Sequence, residues 1–108
     1  MTENCVFCQR IAARKYTSLL GGIVSFPPLN PVTPGHLLVV PTVHVRDAME
    51  NPLVTGMTFA EAARLARGID QDCNLITSCG PDATQAVYHL HVHLVPRRKG
   101  DGLALPWS

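Results

Sequence analysis

Apolar residues recur at helical spacing in two parts of the chain, which predicts two helices of unequal length. The first helix covers residues 6–14, where the apolar positions share one face. The main helix covers about residues 59–71 and begins with a capping box, in which Thr58 is the N-cap and Glu61 reaches back to it. The segment before it, residues 43–56, carries mixed signals, so we interpret it as a loop with at most one helical turn.

Shorter apolar or alternating runs, typical of strands, lie between and after these helices. They cover residues 15–20, 23–26, 36–41, 74–78 and 86–95. Gly21 and Gly22 predict a tight two-residue turn between the first two runs, and a proline-rich loop separates the second from the third. Because the strands follow one another without regular βα alternation, we predict an α+β fold: an antiparallel β-sheet of about five strands, one main helix and a short N-terminal helix.

Length, charge and targeting signals narrow the class of protein. The chain has 108 residues, enough for a single domain over residues 1–108 that can bury a core without disulfides or metal. Nine Lys and Arg against eight Asp and Glu give a formal charge of +1, so we expect no bulk attraction to nucleic acid or to an anionic membrane. The first five residues lack the features of a signal peptide, and we therefore expect a cytoplasmic protein with reduced or metal-bound cysteines.

Three histidines alternate with aliphatic residues in the last predicted strand. Side chains of a strand alternate between its faces, so His89, His91 and His93 point to one face and the aliphatic residues between them to the other. The aliphatic face can pack against a helix. A row of imidazoles is costly in a core, so this row should border a cavity. The competing interpretations are an exposed polar strand face and an incidental metal-binding patch.

The stretch from His89 to Val95 matches the signature of the histidine triad (HIT) superfamily, and the chain resembles that family over nearly its whole length. The other matching segments are Cys5–Cys8, Asn30–Pro41 and Gln85–Tyr88. They are similar to the Hint-like branch, whose members bind nucleotides and hydrolyse or transfer nucleoside monophosphates. The resemblance implies a HIT-like fold, a purine nucleotide or nucleoside monophosphate derivative as substrate, no requirement for magnesium, and a homodimer.

The resemblance also implies roles for single residues. His91 is the implied nucleophile, whose neutral imidazole would attack the α-phosphorus and form a nucleotidyl-histidine intermediate that water then cleaves. Its other ring nitrogen should donate to a fixed acceptor such as a backbone carbonyl. His93 is expected to bind phosphate oxygens, and His36 to relay a proton near the leaving group. The implied substrate-binding residues are Gln85, Ser78, Leu29 and Phe26.

The sequence departs from the family pattern where the ribose and the phosphate would be bound. Pro28 stands where relatives have an Asp that binds ribose hydroxyls, and proline offers no side-chain acceptor. Ser78 replaces an Asn near the phosphate, and Ala86 replaces a Ser or Thr. These changes leave the nucleophile in place and the nucleoside specificity open. The alternatives to a phosphoramidase-like hydrolase are therefore a diadenosine polyphosphate hydrolase and a non-catalytic nucleotide-sensing or interaction module that retains the triad.

Cys5 and Cys8 form a second candidate site, a CxxC pair that supplies half of a tetrahedral zinc centre. His44 and His89 match positions that complete a Cys2His2 site in many relatives. The resemblance thus implies a structural zinc ion that fixes the N-terminal helix to the sheet. Free thiols and a redox pair or disulfide are the competing interpretations of the cysteines, and a purely structural zinc protein is a third hypothesis for the whole chain.

Overall fold

An antiparallel five-stranded sheet forms the centre of the fold in the computed structural model, which describes residues 2–107. Its strands are β1 (Thr17–Ser18), β2 (Ile23–Phe26), β3 (Leu37–Pro41), β4 (Cys73–Ile76) and β5 (Val92–Pro96), in the order β1-β2-β3-β5-β4. Helices α1 (Val6–Ala12) and α2 (Pro52–Ile69) complete the architecture. The predicted α+β class is confirmed. Met1 and Ser108, which belong to the single domain predicted over residues 1–108, lie outside the described residues.

The two helices cover opposite faces of the sheet. Each face has its own buried cluster, since neighbouring side chains of a strand point to opposite faces. The buried cluster on the α1 face comprises Cys5, Phe7, Val24, Phe26, Leu38 and Val40. The buried cluster on the α2 face comprises Ile23, Val39, Ala62 and Val92. The position of Val92 confirms that the aliphatic residues of the last strand pack toward a helix, and it leaves the alternating histidines on the α1 face. None of the helices in the described part of the chain is both long and apolar enough to cross a membrane.

The main helix begins at Pro52, well before the predicted start at about residue 59. Asn51 is its N-cap, because the Asn51 side chain accepts a hydrogen bond from the backbone N–H of Val54 at 3.3 Å and Pro52 occupies the first turn. The prediction that Thr58 caps the helix is wrong: its buried hydroxyl donates to the carbonyl of Val54 at 2.8 Å, inside the helix. The predicted loop over residues 43–56 is therefore wrong for its last part.

Glu61 joins α2 to the first hairpin instead of capping the helix. Its carboxylate accepts the backbone N–H of Leu20 at 3.1 Å and the Nε–H of Arg64 at 2.8 Å. The hairpin between β1 and β2 is confirmed, but its turn is a short 3-10 segment over Leu20–Gly22 and not the predicted two-residue turn. Both glycines of this turn have positive φ angles, which glycine adopts without steric cost.

Several other elements differ from the predictions at their ends. Helix α1 ends at Ala12 and not at residue 14, and Arg14 has a left-handed backbone with φ of 56°. Strands β1 and β3 begin later than predicted, and β4 ends earlier. The largest difference is at β5, which begins at Val92 and not at residue 86. His89 and His91 therefore lie in the segment that leads into the strand.

Thr84 has a strained backbone in the loop before the histidines, with φ of 66°. A β-branched residue fits this left-handed region poorly, and the hydroxyl of Thr84 donates within its own turn, to the carbonyl of Ala83 at 2.6 Å. We expect Thr84→Gly to raise the free energy of unfolding by about 1 kcal/mol in a denaturant titration. Thr84→Ala, which keeps the Cβ, should raise the free energy of unfolding by less. A glycine variant no more stable than the wild type would contradict the strain.

Candidate active site and metal centre

The three predicted catalytic histidines lie next to one another on the α1 face of the sheet. The ring centroids of His91 and His93 are 5.1 Å apart, and those of His93 and His36 are 5.2 Å apart. His36 and His91 are buried, and His93 is half-buried. His36 also lines a cleft of about 460 Å³ that the loop over residues 27–37 forms. The cleft lies at one end of the row of histidines.

The hydrogen bond of His91 Nδ1 determines which of its ring nitrogens can attack a substrate. Nδ1 lies 2.7 Å from the carbonyl oxygen of His89, which can only accept, so Nδ1 carries the hydrogen. A neutral imidazole has one N–H, and Nε2 therefore keeps its lone pair. Burial lowers the pKa of His91, which favours the neutral form. The expected contact to a backbone carbonyl is present, and it gives His91 the form that a nucleophile requires.

A chain of hydrogen bonds fixes the tautomers of His36 and His93 in the same way. The backbone N–H of Val32 donates to Nδ1 of His36 at 3.1 Å, so neutral His36 carries its hydrogen on Nε2. That N–H donates to Nδ1 of His93 at 3.0 Å. Neutral His93 therefore carries its hydrogen on Nε2, where it can donate to an anionic oxygen. Burial lowers the pKa of both imidazoles, which favours these neutral forms.

The titration of His93 predicts how stability depends on pH. Burial, and then the neighbouring His91 and His36, lower its pKa from 6.5 to about 4. The unfolded chain therefore binds a proton first, so this contribution to stability is complete above pH 6.5 and is lost as the pH falls toward about 4. We expect His93→Gln to reduce the loss of unfolding free energy across this window, measured by urea titrations at several pH values. An unchanged pH dependence would contradict the assignment.

Gln85, one of the predicted substrate-binding residues, uses both ends of its amide within the protein. It is 6% exposed, and its Oε1 accepts the backbone N–H of Gly80 at 2.8 Å. Its Nε2 donates to the carbonyls of Arg46 and Val87 at 2.8 and 3.1 Å. Gln85 therefore fastens the loop that leads into the histidines to the segment before α2.

The other predicted substrate-binding residues lie in different environments. Phe26 is buried, Ser78 is half-buried, and Leu29 is 93% exposed on the proline-rich loop. Next to Ser78, the hydroxyl of Thr77 donates to the carbonyl of His91 at 2.8 Å and so holds the backbone of the proposed nucleophile. Sequence reasoning missed Thr77, because a single hydroxyl residue at the end of a strand carries no spacing signal.

Cys5, Cys8, His44 and His89 form a second cluster beside these histidines, as predicted for a metal site. Each offers one ligand atom, and these atoms all lie within 4.8 Å of one another. The sulfur-to-Nδ1 separations include 3.3, 3.4 and 3.5 Å, and the two Nδ1 atoms are 3.1 Å apart. A tetrahedral zinc ion, with bonds of about 2.3 Å to sulfur and about 2.0 Å to nitrogen, would place its ligand atoms about 3.3–3.8 Å apart. The group could therefore hold a metal ion, and its donor set suits a tetrahedral one.

Contacts around the cluster determine the protonation of its ligand atoms. His89 Nε2 donates to the carbonyl of Pro41 at 2.8 Å, which leaves the lone pair of Nδ1 facing the cluster. The backbone N–H of Cys8 donates to Sγ of Cys5 at 3.4 Å. Burial and the Cys5 sulfur raise the pKa of Cys8 to about 11, so the thiol stays protonated unless a cation stabilises the thiolate.

Comparisons with known proteins agree with this fold and site. The family model of the HIT domain matches residues 20–100. The Bacillus subtilis protein named Protein hit is 32% identical over 118 aligned positions, which cover 98% of this chain and 80% of that protein. A solved structure, the HIT family hydrolase from Clostridium thermocellum, has a TM-score of 0.76 and 27% identity, and the match covers 95% of this chain and 98% of that one.

The fold, the row of histidines and these matches define a HIT-domain protein, and the chain belongs to the HIT family. A further relative is the adenylylsulfatase HINT3 of Arabidopsis thaliana, which is 29% identical. That match covers 95% of this chain but 57% of the relative, so the plant protein has substantial sequence beyond the shared region.

Proposed function

We propose that the protein is a nucleotide hydrolase or transferase that acts at the α-phosphate of nucleoside phosphoramidates or related nucleotides. The observation that carries this proposal is the state of His91, a buried neutral imidazole whose Nδ1–H is held by a backbone carbonyl at 2.7 Å and whose Nε2 keeps its lone pair. Membership of the HIT family and the named activities of two relatives support a hydrolase that takes nucleotides.

The reaction proceeds in two displacements at phosphorus. In the first, Nε2 of His91 forms a bond to the α-phosphorus, the bond to the leaving group breaks, and the leaving group takes up a proton from solvent water. The carbonyl of His89 stabilises the positive imidazole that results, because it accepts the Nδ1–H. In the second, water bonds to phosphorus and gives up a proton, the bond to Nε2 breaks, and His91 returns to its neutral form.

His93 contacts the phosphoryl group, and His36 fixes the tautomer of His93. His93 directs its Nε2–H at a non-bridging oxygen, where negative charge shifts during each displacement. His36 holds His93 in this tautomer through the contact of 3.0 Å, and its own Nδ1 is held by the backbone N–H of Val32. Of the proposed substrate-binding residues, Leu29, on the exposed loop that follows the buried Phe26, supplies apolar surface for a purine base, and Ser78 supplies a hydroxyl for the phosphate. Gln85 supports them from the adjoining loop.

The substrate class is tested by measuring release of adenosine monophosphate from three compounds: adenosine 5′-phosphoramidate, diadenosine tetraphosphate and adenosine 5′-phosphosulfate. We expect the highest kcat/KM with the phosphoramidate, without added magnesium. Faster cleavage of the tetraphosphate would favour the polyphosphate hydrolase. Binding of adenosine monophosphate in calorimetry without turnover of any compound would favour the sensing module, for which the missing ribose acceptor at Pro28 is the supporting observation.

We propose zinc as the metal of the Cys5, Cys8, His44 and His89 cluster, in a structural role. When bound, the ion would tie the start of α1 to the segments before α2 and β5, and no step of the reaction passes through it. The proposed setting is the cytoplasm, where the four cysteines, which form no disulfides with one another, stay reduced.

We further propose a homodimer. Strand β4 is one edge of the sheet, and Ile76 on it is 37% exposed, so a second copy could cover this edge. Size-exclusion chromatography with light scattering should give twice the chain mass of 11.7 kDa. A single-chain mass at micromolar concentration would contradict the dimer.

A further inference from the structure

Phe7 lies between the two cysteines of the metal cluster and packs against the proposed nucleophile. It is 8% exposed, on helix α1. Its ring centroid lies 5.1 Å from that of His91 at an interplanar angle of 87°, and 5.9 Å from that of His89 at 72°. Such edge-to-face contacts favour one orientation of the two rings. The contact can therefore fix the plane of the His91 imidazole while leaving Nδ1 to the carbonyl of His89 and Nε2 open to a substrate.

His89 provides a second connection between the same two sites. Its Nδ1 lies 3.4 Å from Sγ of Cys5, within the metal cluster. Its carbonyl accepts the Nδ1–H of His91 at 2.7 Å. The metal cluster thus reaches the nucleophile through the backbone of His89 on one side and through the ring of Phe7 on the other.

The position of Phe7 depends on two anchors of helix α1, the core cluster on that face of the sheet and the metal cluster at the start of the helix. The helix has seven residues, which is too short to be stable in isolation. Its N-cap is Cys5, whose sulfur accepts the backbone N–H of Cys8 at 3.4 Å. An ion bound by both cysteines would fix the first turn of α1, and Phe7 lies within that turn.

We propose that Phe7 is a positioning residue for His91, through which the state of the metal cluster controls the reaction. With both cysteines bound to one ion, Phe7 holds the His91 ring in the orientation and tautomer that attack on phosphorus requires. Without the ion, α1 keeps only its core contacts, Phe7 is held less tightly, and the His91 ring samples other orientations. The inference rests on the proposed role of His91 as nucleophile and makes the metal centre a control on catalysis as well as a support of the fold.

The matched pair of variants is Phe7→Leu and Ile11→Ala, both in the full metal-loaded chain. Leucine fills most of the space of phenylalanine but has no ring edge to present to His91. Ile11 packs against the same core cluster from α1 but has no ring to place against the histidines. Its truncation therefore reports the effect of weaker packing between α1 and the sheet. Phe7→Met serves as the second test variant if Phe7→Leu folds poorly.

Steady-state kinetics and histidine side-chain 15N NMR provide the two readouts. For Phe7→Leu we expect kcat to fall about 10-fold or more with little change in KM, while the metal content stays near that of the wild type. The NMR spectrum should show His91 as a mixture of tautomers, with His44 and His89 still metal-bound. For Ile11→Ala we expect kcat and the His91 tautomer to match the wild type.

Chelation tests whether the metal acts through Phe7. If it does, removing the metal lowers kcat by a smaller factor in Phe7→Leu than in the wild type. The reason is that metal removal and the substitution both act by releasing the His91 ring. Equal factors, or a His91 tautomer that is unchanged in Phe7→Leu, would overturn the proposal. Should the wild type turn over no nucleotide, the proposed function fails, and the NMR comparison of wild type and Phe7→Leu still decides whether Phe7 positions His91.

Discussion

Replacing His91 by alanine is expected to lower kcat by about 1,000-fold or more, because the variant lacks the atom that bonds to phosphorus. The Nε2 lone pair of His91 has no substitute among the neighbouring imidazoles. His93 carries its hydrogen on Nε2, and its Nδ1 already accepts from His36 at 3.0 Å. His36 likewise uses both ring nitrogens, since its Nδ1 accepts the N–H of Val32. Neither His93 nor His36 can therefore replace His91 as nucleophile without breaking this chain of hydrogen bonds. Turnover of adenosine 5′-phosphoramidate, measured with excess enzyme, tests this expectation.

His93→Ala is the matched control for that experiment. It removes an imidazole from the same row but leaves the nucleophile and its carbonyl partner, so turnover should fall less than in His91→Ala. Binding of adenosine monophosphate, measured by calorimetry, should stay within about threefold of the wild type in His91→Ala, because the variant loses a bond made during the reaction rather than a binding contact. Undiminished turnover in His91→Ala would rule out the proposed nucleophile.

Replacing Cys5 by serine is expected to abolish stoichiometric metal binding and to lower the free energy of unfolding by about 3 kcal/mol or more. Serine is a poor ligand for a soft cation. The substitution also removes the sulfur that accepts the N–H of Cys8 at the start of α1. Because Cys5 is buried against the sheet, the loss reaches the core cluster on the α1 face. Metal content by mass spectrometry and unfolding in urea measure the two effects.

Cys79→Ser is the matched cysteine control, since Cys79 is half-buried and lies outside the metal cluster. It should keep the metal content of the wild type and lose little stability. A Cys5→Ser variant that still binds one metal ion per chain with unchanged stability would contradict the assignment of the ligands.

The sequence predicts the sheet better than it predicts the boundaries of its elements. Alternation around Val92 correctly places the aliphatic and histidine faces, because a strand has only two faces. The same alternation continues back to His89, and the predicted strand back to residue 86, but β5 begins at Val92, since pairing with β3 starts there and pairing with β4 starts at His93. At α2 the sequence offers two possible starts of the helix, the capping pattern at Thr58 and the pair Asn51 and Pro52. The helix begins at the pair.

The candidate site could be predicted as a set of residues but not as a hydrogen-bonded arrangement. The triad signature and the CxxC pair identify the histidines and cysteines, and the structure brings both groups together. A backbone carbonyl acceptor for His91 is expected from the sequence, but the groups that set the tautomers, the carbonyl of His89 and the N–H of Val32, cannot be identified from a sequence pattern. The contact of Phe7 with His91 joins α1 to a segment far along the chain, so only the folded structure reveals it.

The stereochemical course at phosphorus tests the central claim most directly, namely that His91 carries a covalent nucleotidyl group. A substrate made chiral at the α-phosphorus by sulfur substitution is hydrolysed in isotopically labelled water, and the configuration of the product is determined. Each in-line displacement inverts the phosphorus, so two displacements through His91 predict net retention. Net inversion would show that water attacks the substrate directly, and it would contradict the covalent intermediate.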